Sequence, residues 1–208
     1  MLTLYHSPMT RSTRIVQLVH ELGAEDAVTI RQVGIRHGDG RGGRDPANPH
    51  PEGKVPLLVH DGVEIWESTA IAQYLAELFP ARGLGVAPAD PMRGRYLSWL
   101  AWYGDVLEPV VVFSTLGVDH PGLYGTFRGM PETTARLQAA LNSAPYLCGE
   151  RFTVADLIVA STFGWAKKLT PDVPSIIDWV ERCNSRPAAK AVWAADREAI
   201  KAQRASAS

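Results

Sequence analysis

The 208-residue sequence predicts a mixed α/β sheet domain followed by an all-helical domain. Three observations carry this expectation. Short stretches of strand character occur up to Trp66, whereas after Pro91 the apolar residues recur at helical spacing. Between the two lies Pro80–Pro91, with three prolines, two glycines and little periodicity. The expected organisation is therefore a domain over 1–79, a linker over 80–91 and a helical domain over 92–208.

The elements follow in order. Leu2–Tyr5 alternates as a short strand. Over Arg11–Leu22 the residues Ile15, Val16, Leu18, Val19 and Leu22 make one helical face, and Gly23 is its end signal. Val28–Val33 alternates again. Pro56–His60 and Val63–Trp66 flank Asp61-Gly62, a hairpin turn pair. Ser68–Phe79 is helical and Pro80 stops it. The first three elements form a βαβ unit and the hairpin makes the four-stranded sheet mixed. Beyond the linker, helices are expected from Arg93 to about Phe113, kinked or ended near Pro109. Others are expected over Glu132–Leu141, Thr153–Ala166, Pro174–Asn184 and Pro187–Ile200. Lys201–Ser208 is small and polar and is expected to fray. His37–Gly43 is Gly-rich without a GK[ST] motif, which predicts a mobile surface loop rather than a phosphate cradle.

Composition narrows the function. The formal net charge is −1 with no Lys/Arg block, which argues against nucleic-acid and membrane-surface binding. No apolar run spans a bilayer, and Met1–Tyr5 lacks the pattern of a signal peptide, so a cytoplasmic protein is expected. The two cysteines, Cys148 and Cys183, suggest neither a disulfide framework nor a CxxC pair. They read as packing residues and count against thiol chemistry by the protein itself. No metal site is expected.

Two short motifs carry chemistry. Gly53-Lys54-Val55-Pro56-Leu57 precedes the third strand. Glu67-Ser68-Thr69 lies between the fourth strand and a helix, with Ser68 as a natural N-cap. A helix N-terminus offers free N–H donors to a ligand carboxylate, and Glu67 offers a charge to a ligand ammonium. Side by side they suit an amino-acid head group. A third motif, Thr153-x-x-Asp156, has capping-box spacing and reads as a folding signal for an apolar helix.

At this spacing the first two motifs resemble those of the soluble glutathione transferase family, and the resemblance runs from Leu2 to about Ile200. It implies a thioredoxin-like N-terminal domain, a helical-bundle C-terminal domain, glutathione as co-substrate and a homodimer. By the same resemblance Val55, before a cis Pro56, exchanges main-chain hydrogen bonds with the cysteinyl part of glutathione. Glu67 and Ser68 grip its γ-glutamyl head, and Lys54 approaches its glycine carboxylate. The implied reaction joins the glutathione thiolate to a small, hydrophobic electrophile.

Such a reaction needs the bound thiol held as a thiolate. Lowering a thiol pKa from about 8.5 by ~1–2 units requires ~1.4–2.8 kcal/mol, within reach of one charge-assisted hydrogen bond. Tyr5–Arg14 holds several hydroxyls and no cysteine. It resembles family branches in which Pro-Met-Ser carries the active hydroxyl, so Thr10 takes the serine position. Ser12 is the alternative, and Tyr5 fits the tyrosine-using branch less well. Thr10 also reads as a plain N-cap, and Arg11 and Arg14 as solvated helix surface. A threonine methyl restricts the rotamer, which keeps open a binding or carrier protein of the same fold with little transferase activity. A thiol–disulfide oxidoreductase lacks its cysteine here. The electrophile is expected against the long helix after Pro91, with Tyr103 and Phe113 as lining.

Overall fold

A computed structural model of the chain describes residues 1–38 and 40–206. The strands are β1 (Leu2–His6), β2 (Val28–Gln32), β3 (Leu57–His60) and β4 (Val63–Trp66). The helices are α1 (Thr13–Leu22), α2 (Ser68–Leu78), α3 (Arg93–Trp102), α4 (Glu108–Leu116), α5 (Pro121–Phe127), α6 (Met130–Leu141), α7 (Val154–Trp165), α8 (Pro174–Asn184) and α9 (Pro187–Ser206). The chain forms two compact units: Met1–Arg82 together with α9, and Gly83–Arg186.

In the first unit the sheet order is β2-β1-β3-β4, parallel between β1 and β2 and antiparallel elsewhere. The β3–β4 hairpin turns at Asp61 and Gly62, with φ of +48° and +86°, the signs a tight hairpin turn requires. α1 buries the expected face, Ile15, Val16, Leu18, Val19 and Leu22, and ends at Gly23 in the left-handed conformation. Arg14 is an exception to the surface reading, because it is buried. α9 belongs to this unit and packs on α1.

The C-terminal end also departs from expectation. Lys201–Ser206 continues α9 instead of fraying, supported by an Ala-rich sequence and a Glu198–Lys201 ion pair at 2.7 Å. Residues 207 and 208, and Asp39 in the Gly-rich loop, lie outside the described residues.

The second unit is helical among the described residues. The expected disruption near Pro109 takes the form of a π-helical stretch, Tyr103–Leu107, joining α3 to α4. Proline lacks an N–H and its ring clashes with the carbonyl four residues back, here Asp105, inside that widened turn. α5 was not legible in the sequence: it carries two glycines and buries no residue. Gly83–Asp90 is pinned rather than free. Leu84 and Val86 are buried, the Leu84 carbonyl accepts from the Val154 N–H at 2.9 Å, and Arg93 donates to the Val86 carbonyl at 2.7 Å. α7 is the buried centre of this unit, opened by the Thr153–Asp156 capping box. No helix among the described residues is long and apolar enough to cross a membrane.

Candidate active site

The sheet register brings three of the sequence motifs to one end of the first unit. Tyr5 pairs with Leu57, and Leu57 with Trp66. The chain leaving β1 past this row carries Thr10 and Ser12. The chain entering β3 carries Lys54, Val55 and Pro56, and the chain leaving β4 carries Glu67 and Ser68.

The Val55–Pro56 bond is cis. The approach to it is fixed by two buried residues that sequence reasoning missed, Asn48 and His50. Asn48 Nδ2 donates to the Lys54 carbonyl at 3.0 Å, and His50 N–H donates to Asn48 Oδ1 at 3.1 Å. The His50 ring accepts from the Glu52 N–H at 3.0 Å and its carbonyl accepts from the Gly53 N–H at 2.9 Å. Burial holds the His50 ring below its usual pKa, which keeps that nitrogen an acceptor. Gly53 sits at φ +66°, a conformation open to glycine at little cost. Lys54 is exposed and paired with Glu52.

At α2 the N-cap is Glu67, not Ser68. The turn out of β4 is made by Glu67 at φ +66°, so helical geometry begins one residue later, with Ser68 as the first helical residue. A non-glycine residue at positive φ is uncommon, and such strain collects at functional sites. Glu67 is exposed, while Ser68 is buried at the helix N-terminus, where the first N–H groups have no partner within the helix. A cation acceptor and an anion-binding helix end are thus adjacent.

The loop after β1 is organised by a polar cluster. Thr10 is half-buried, and Ser12 is fully buried. Ser12 Oγ lies 2.8 Å from Thr10 Oγ1, 2.7 Å from His6 Nδ1 and 3.1 Å from the Ser7 N–H, which donates to it. His6 Nε2 lies 3.1 Å from Asp196 Oδ1. Asp196 Oδ2 accepts from the Thr13 hydroxyl at 2.6 Å and from the Met9 N–H at 2.8 Å, with Met9 at φ +59°. Thr13 Oγ1 in turn accepts from the Thr10 N–H at 3.2 Å. Burial pushes the Asp196 carboxyl up, but the bonds from His6, Thr13 and Met9 outweigh it and hold it below the usual range. His6 and Asp196 gave no local signal: they stand far apart in sequence and meet through the packing of α9 on α1.

The two lining candidates fall in the second unit. Tyr103 is buried with its hydroxyl on Glu108, so it serves the core. Phe113 is half-buried and rests on Phe127, ring centres 5.8 Å apart. Phe127 lines a cavity of about 260 Å³ with Trp102, Val106, Arg128 and Arg136. Cys148 is buried and its thiol is pushed up to about 11 by burial and by the nearby Asp156 charge. Such a thiol is inert at neutral pH.

Residues 1–77 match the glutathione S-transferase N-terminal domain, and residues 126–187 match the C-terminal domain. Glutathione S-transferase GstA of Escherichia coli O157:H7 is 33% identical over 146 residues, covering 66% of this chain and 71% of that protein. The chain belongs to the glutathione S-transferase family. A plant glutathione S-transferase, F14 of Arabidopsis thaliana, is 26% identical over 158 residues, covering 67% of this chain and 62% of that protein. The chain therefore spans less than two thirds of the length of that relative. A sphingomonad glutathione S-transferase solved in complex with glutathione is 26% identical with a TM-score of 0.73, covering 93% of this chain and 98% of that one. The transferase fold expected from the sequence is thus the fold observed, with the thioredoxin-like unit extended by α9.

Proposed function

We propose that this transferase binds glutathione at the sheet end described above and joins its thiolate to small, hydrophobic electrophiles. The observation that carries the reading is the Tyr5–Leu57–Trp66 row, past which Thr10, Val55 and Glu67-Ser68 all emerge. The Val55 main chain, ahead of the cis bond, pairs with the cysteinyl part of the peptide. Glu67 takes the γ-glutamyl ammonium, Ser68 and the α2 N-terminus take its carboxylate, and Lys54 takes the glycine carboxylate. Thr10 donates its hydroxyl to the sulfur. Ser12, being fully buried, acts on the sulfur only through Thr10. The buried state of both cysteines supports glutathione as the source of the thiol.

Phe113, resting on Phe127, is the aromatic contact proposed for the electrophile. The acting form is a cytoplasmic homodimer, and neither nucleic acid nor membrane takes part. Turnover of an activated aryl halide with glutathione tests the reading. Conjugation that saturates with glutathione supports it. Tight glutathione binding with no conjugation of several electrophiles instead marks a carrier of the same fold.

A further inference from the structure

The Thr10 hydroxyl is one end of a continuous line of hydrogen-bonding atoms. From Thr10 Oγ1 it runs to Ser12 Oγ at 2.8 Å, to His6 Nδ1 at 2.7 Å, and from His6 Nε2 to Asp196 Oδ1 at 3.1 Å. Ser12, His6 and Asp196 are all buried, and Thr10 alone of the four reaches towards solvent. We propose that His6 is the terminal acceptor of the glutathione thiol proton, reached through the Thr10 and Ser12 hydroxyls, with Asp196 positioning the imidazole. The proposal rests on Thr10 as the sulfur's partner.

The proton positions follow from the donors and acceptors. Asp196 is an acceptor only, and it already takes the Thr13 hydroxyl and the Met9 N–H on its other oxygen. His6 Nε2 therefore carries a hydrogen and donates to it. In neutral His6 this leaves Nδ1 as a lone pair, so Ser12 donates to His6. Ser12 Oγ then accepts from the Ser7 N–H and has a lone pair for the Thr10 proton. With Thr10 donating to Ser12, both hydroxyls of the line point towards His6, and Thr10 Oγ1, which already accepts from the Ser12 N–H at 3.2 Å, keeps its second lone pair for an S–H. The Ser7 carbonyl, 2.7 Å from Thr10 Oγ1 and 3.1 Å from Ser12 Oγ, is the competing acceptor in which the line is open.

Transfer moves one proton per link. The thiol proton passes to Thr10 Oγ1, the Thr10 proton to Ser12 Oγ, and the Ser12 proton to His6 Nδ1. The S–H, both former O–H bonds break, and two new O–H bonds and one N–H bond form. Thiol and neutral imidazole become thiolate and imidazolium, with no change in net charge and no proton lost to water. The three hydrogen bonds between the sulfur and His6 Nδ1 reverse direction while His6 Nε2 goes on donating to Asp196, so Thr10 ends by donating to the thiolate and His6 donates from both nitrogens. The positive imidazolium lies against the Asp196 carboxylate, and no other step needs a partner from outside. A thiolate stabilised by Thr10 alone would send its proton to bulk water instead.

That difference is measurable on the full chain without any variant. Calorimetric titration with glutathione at neutral pH, in buffers of different ionisation enthalpy, counts the protons released. Ultraviolet thiolate absorbance of the same complex counts the thiolate formed. The expected result is thiolate formation with well under one proton released per thiolate. Ser12→Ala and His6→Gln each cut the line. In both, the thiolate fraction falls several-fold at neutral pH, and the remaining thiolate releases its proton to the buffer one for one. Asp196→Asn shifts the proton count in the same direction by a smaller amount. Release of one proton per thiolate by the parent overturns the relay and leaves Thr10 as a simple donor. A parent-like thiolate fraction in Thr10→Val removes Thr10, and the relay with it. The parent count stands even if a variant fails to fold.

Discussion

Asp156 and Asp196 are two buried carboxylates, one in each unit, that gather several hydrogen bonds and whose carboxyl pKa values are shifted in opposite directions. Asp156 accepts from the Thr153 N–H and hydroxyl at 2.9 Å each, from the Leu147 N–H at 2.8 Å and from Trp179 Nε1 at 3.0 Å. Its burial nevertheless outweighs all of these, and its carboxyl is pushed above the usual range. Asp196 has fewer donors but one of them is a histidine, and its carboxyl is held below that range. The donors differ in kind. Those of Asp156 are capping and core groups that join α7 to α8 and to the segment before it. Those of Asp196 are three points around the loop that carries Thr10. One carboxylate closes a core, and the other sets the shape of the loop that carries Thr10.

The largest expected effect breaks the core partner. Asp156→Ala leaves the Leu147 N–H and the Trp179 indole N–H buried without an acceptor and removes the box that opens α7. A loss of about 3–5 kcal/mol in unfolding free energy is expected, by the known cost of stripping one partner from a buried polar network. Urea unfolding measures it. The fraction that remains folded should bind glutathione with the parent's affinity, since none of these contacts belongs to the binding end.

The next two effects concern the site. Ser68→Ala should weaken glutathione binding by about 1.5–3 kcal/mol, the worth of a hydrogen bond to a charged group. Glu67→Ala should lose the ammonium contact. Calorimetry that finds both variants binding like the parent would displace the head-group assignment. Thr10→Val keeps the side-chain shape and deletes the donor. The bound thiol should then rise towards its free pKa by ~1–2 units, equivalent to ~1.4–2.8 kcal/mol. At neutral pH the rate should fall more than the affinity, as expected when the lost interaction favours the thiolate over the ground-state thiol.

The same pair of aspartates explains how much the sequence made legible. Asp156 and Thr153 are three residues apart, so a local motif announced the box and the helix after it. The strands, the hairpin turn and most helices were legible for the same reason, since periodicity and turn chemistry act over a few residues. Asp196 acts on residues near the other end of the chain, and nothing around it marks a partner. His6, the last residue of β1, is equally silent. Asn48 and His50 lie in a stretch without periodicity, where burial is set by the turn they make. Arg14 and Tyr103 fit their helical patterns, and tertiary packing buries both.

The smallest expected effect separates the aspartates by pH. Asp196→Asn keeps the size of the side chain and one carbonyl acceptor, so a loss on the order of 1 kcal/mol is expected at neutral pH. The folded pKa of Asp196 lies below its unfolded value. Between the two the unfolded chain binds more protons, so this contribution is present above the unfolded value and is lost as pH falls through the folded one. The gap between parent and Asp196→Asn should therefore shrink on acidification. Asp156 has the opposite sign. Its folded pKa lies above its unfolded value, so within that window the folded chain binds more protons and stability falls as pH rises. Relative to Asp156→Asn, whose amide does not titrate, the parent should gain stability as pH is lowered through that window. Urea unfolding of the parent and the two asparagine variants, from neutral pH down to the lowest pH at which each folds reversibly, measures both slopes. Slopes of the same sign would mean that burial does not outweigh the donors at Asp156, or that the bonds from His6, Thr13 and Met9 do not outweigh burial at Asp196.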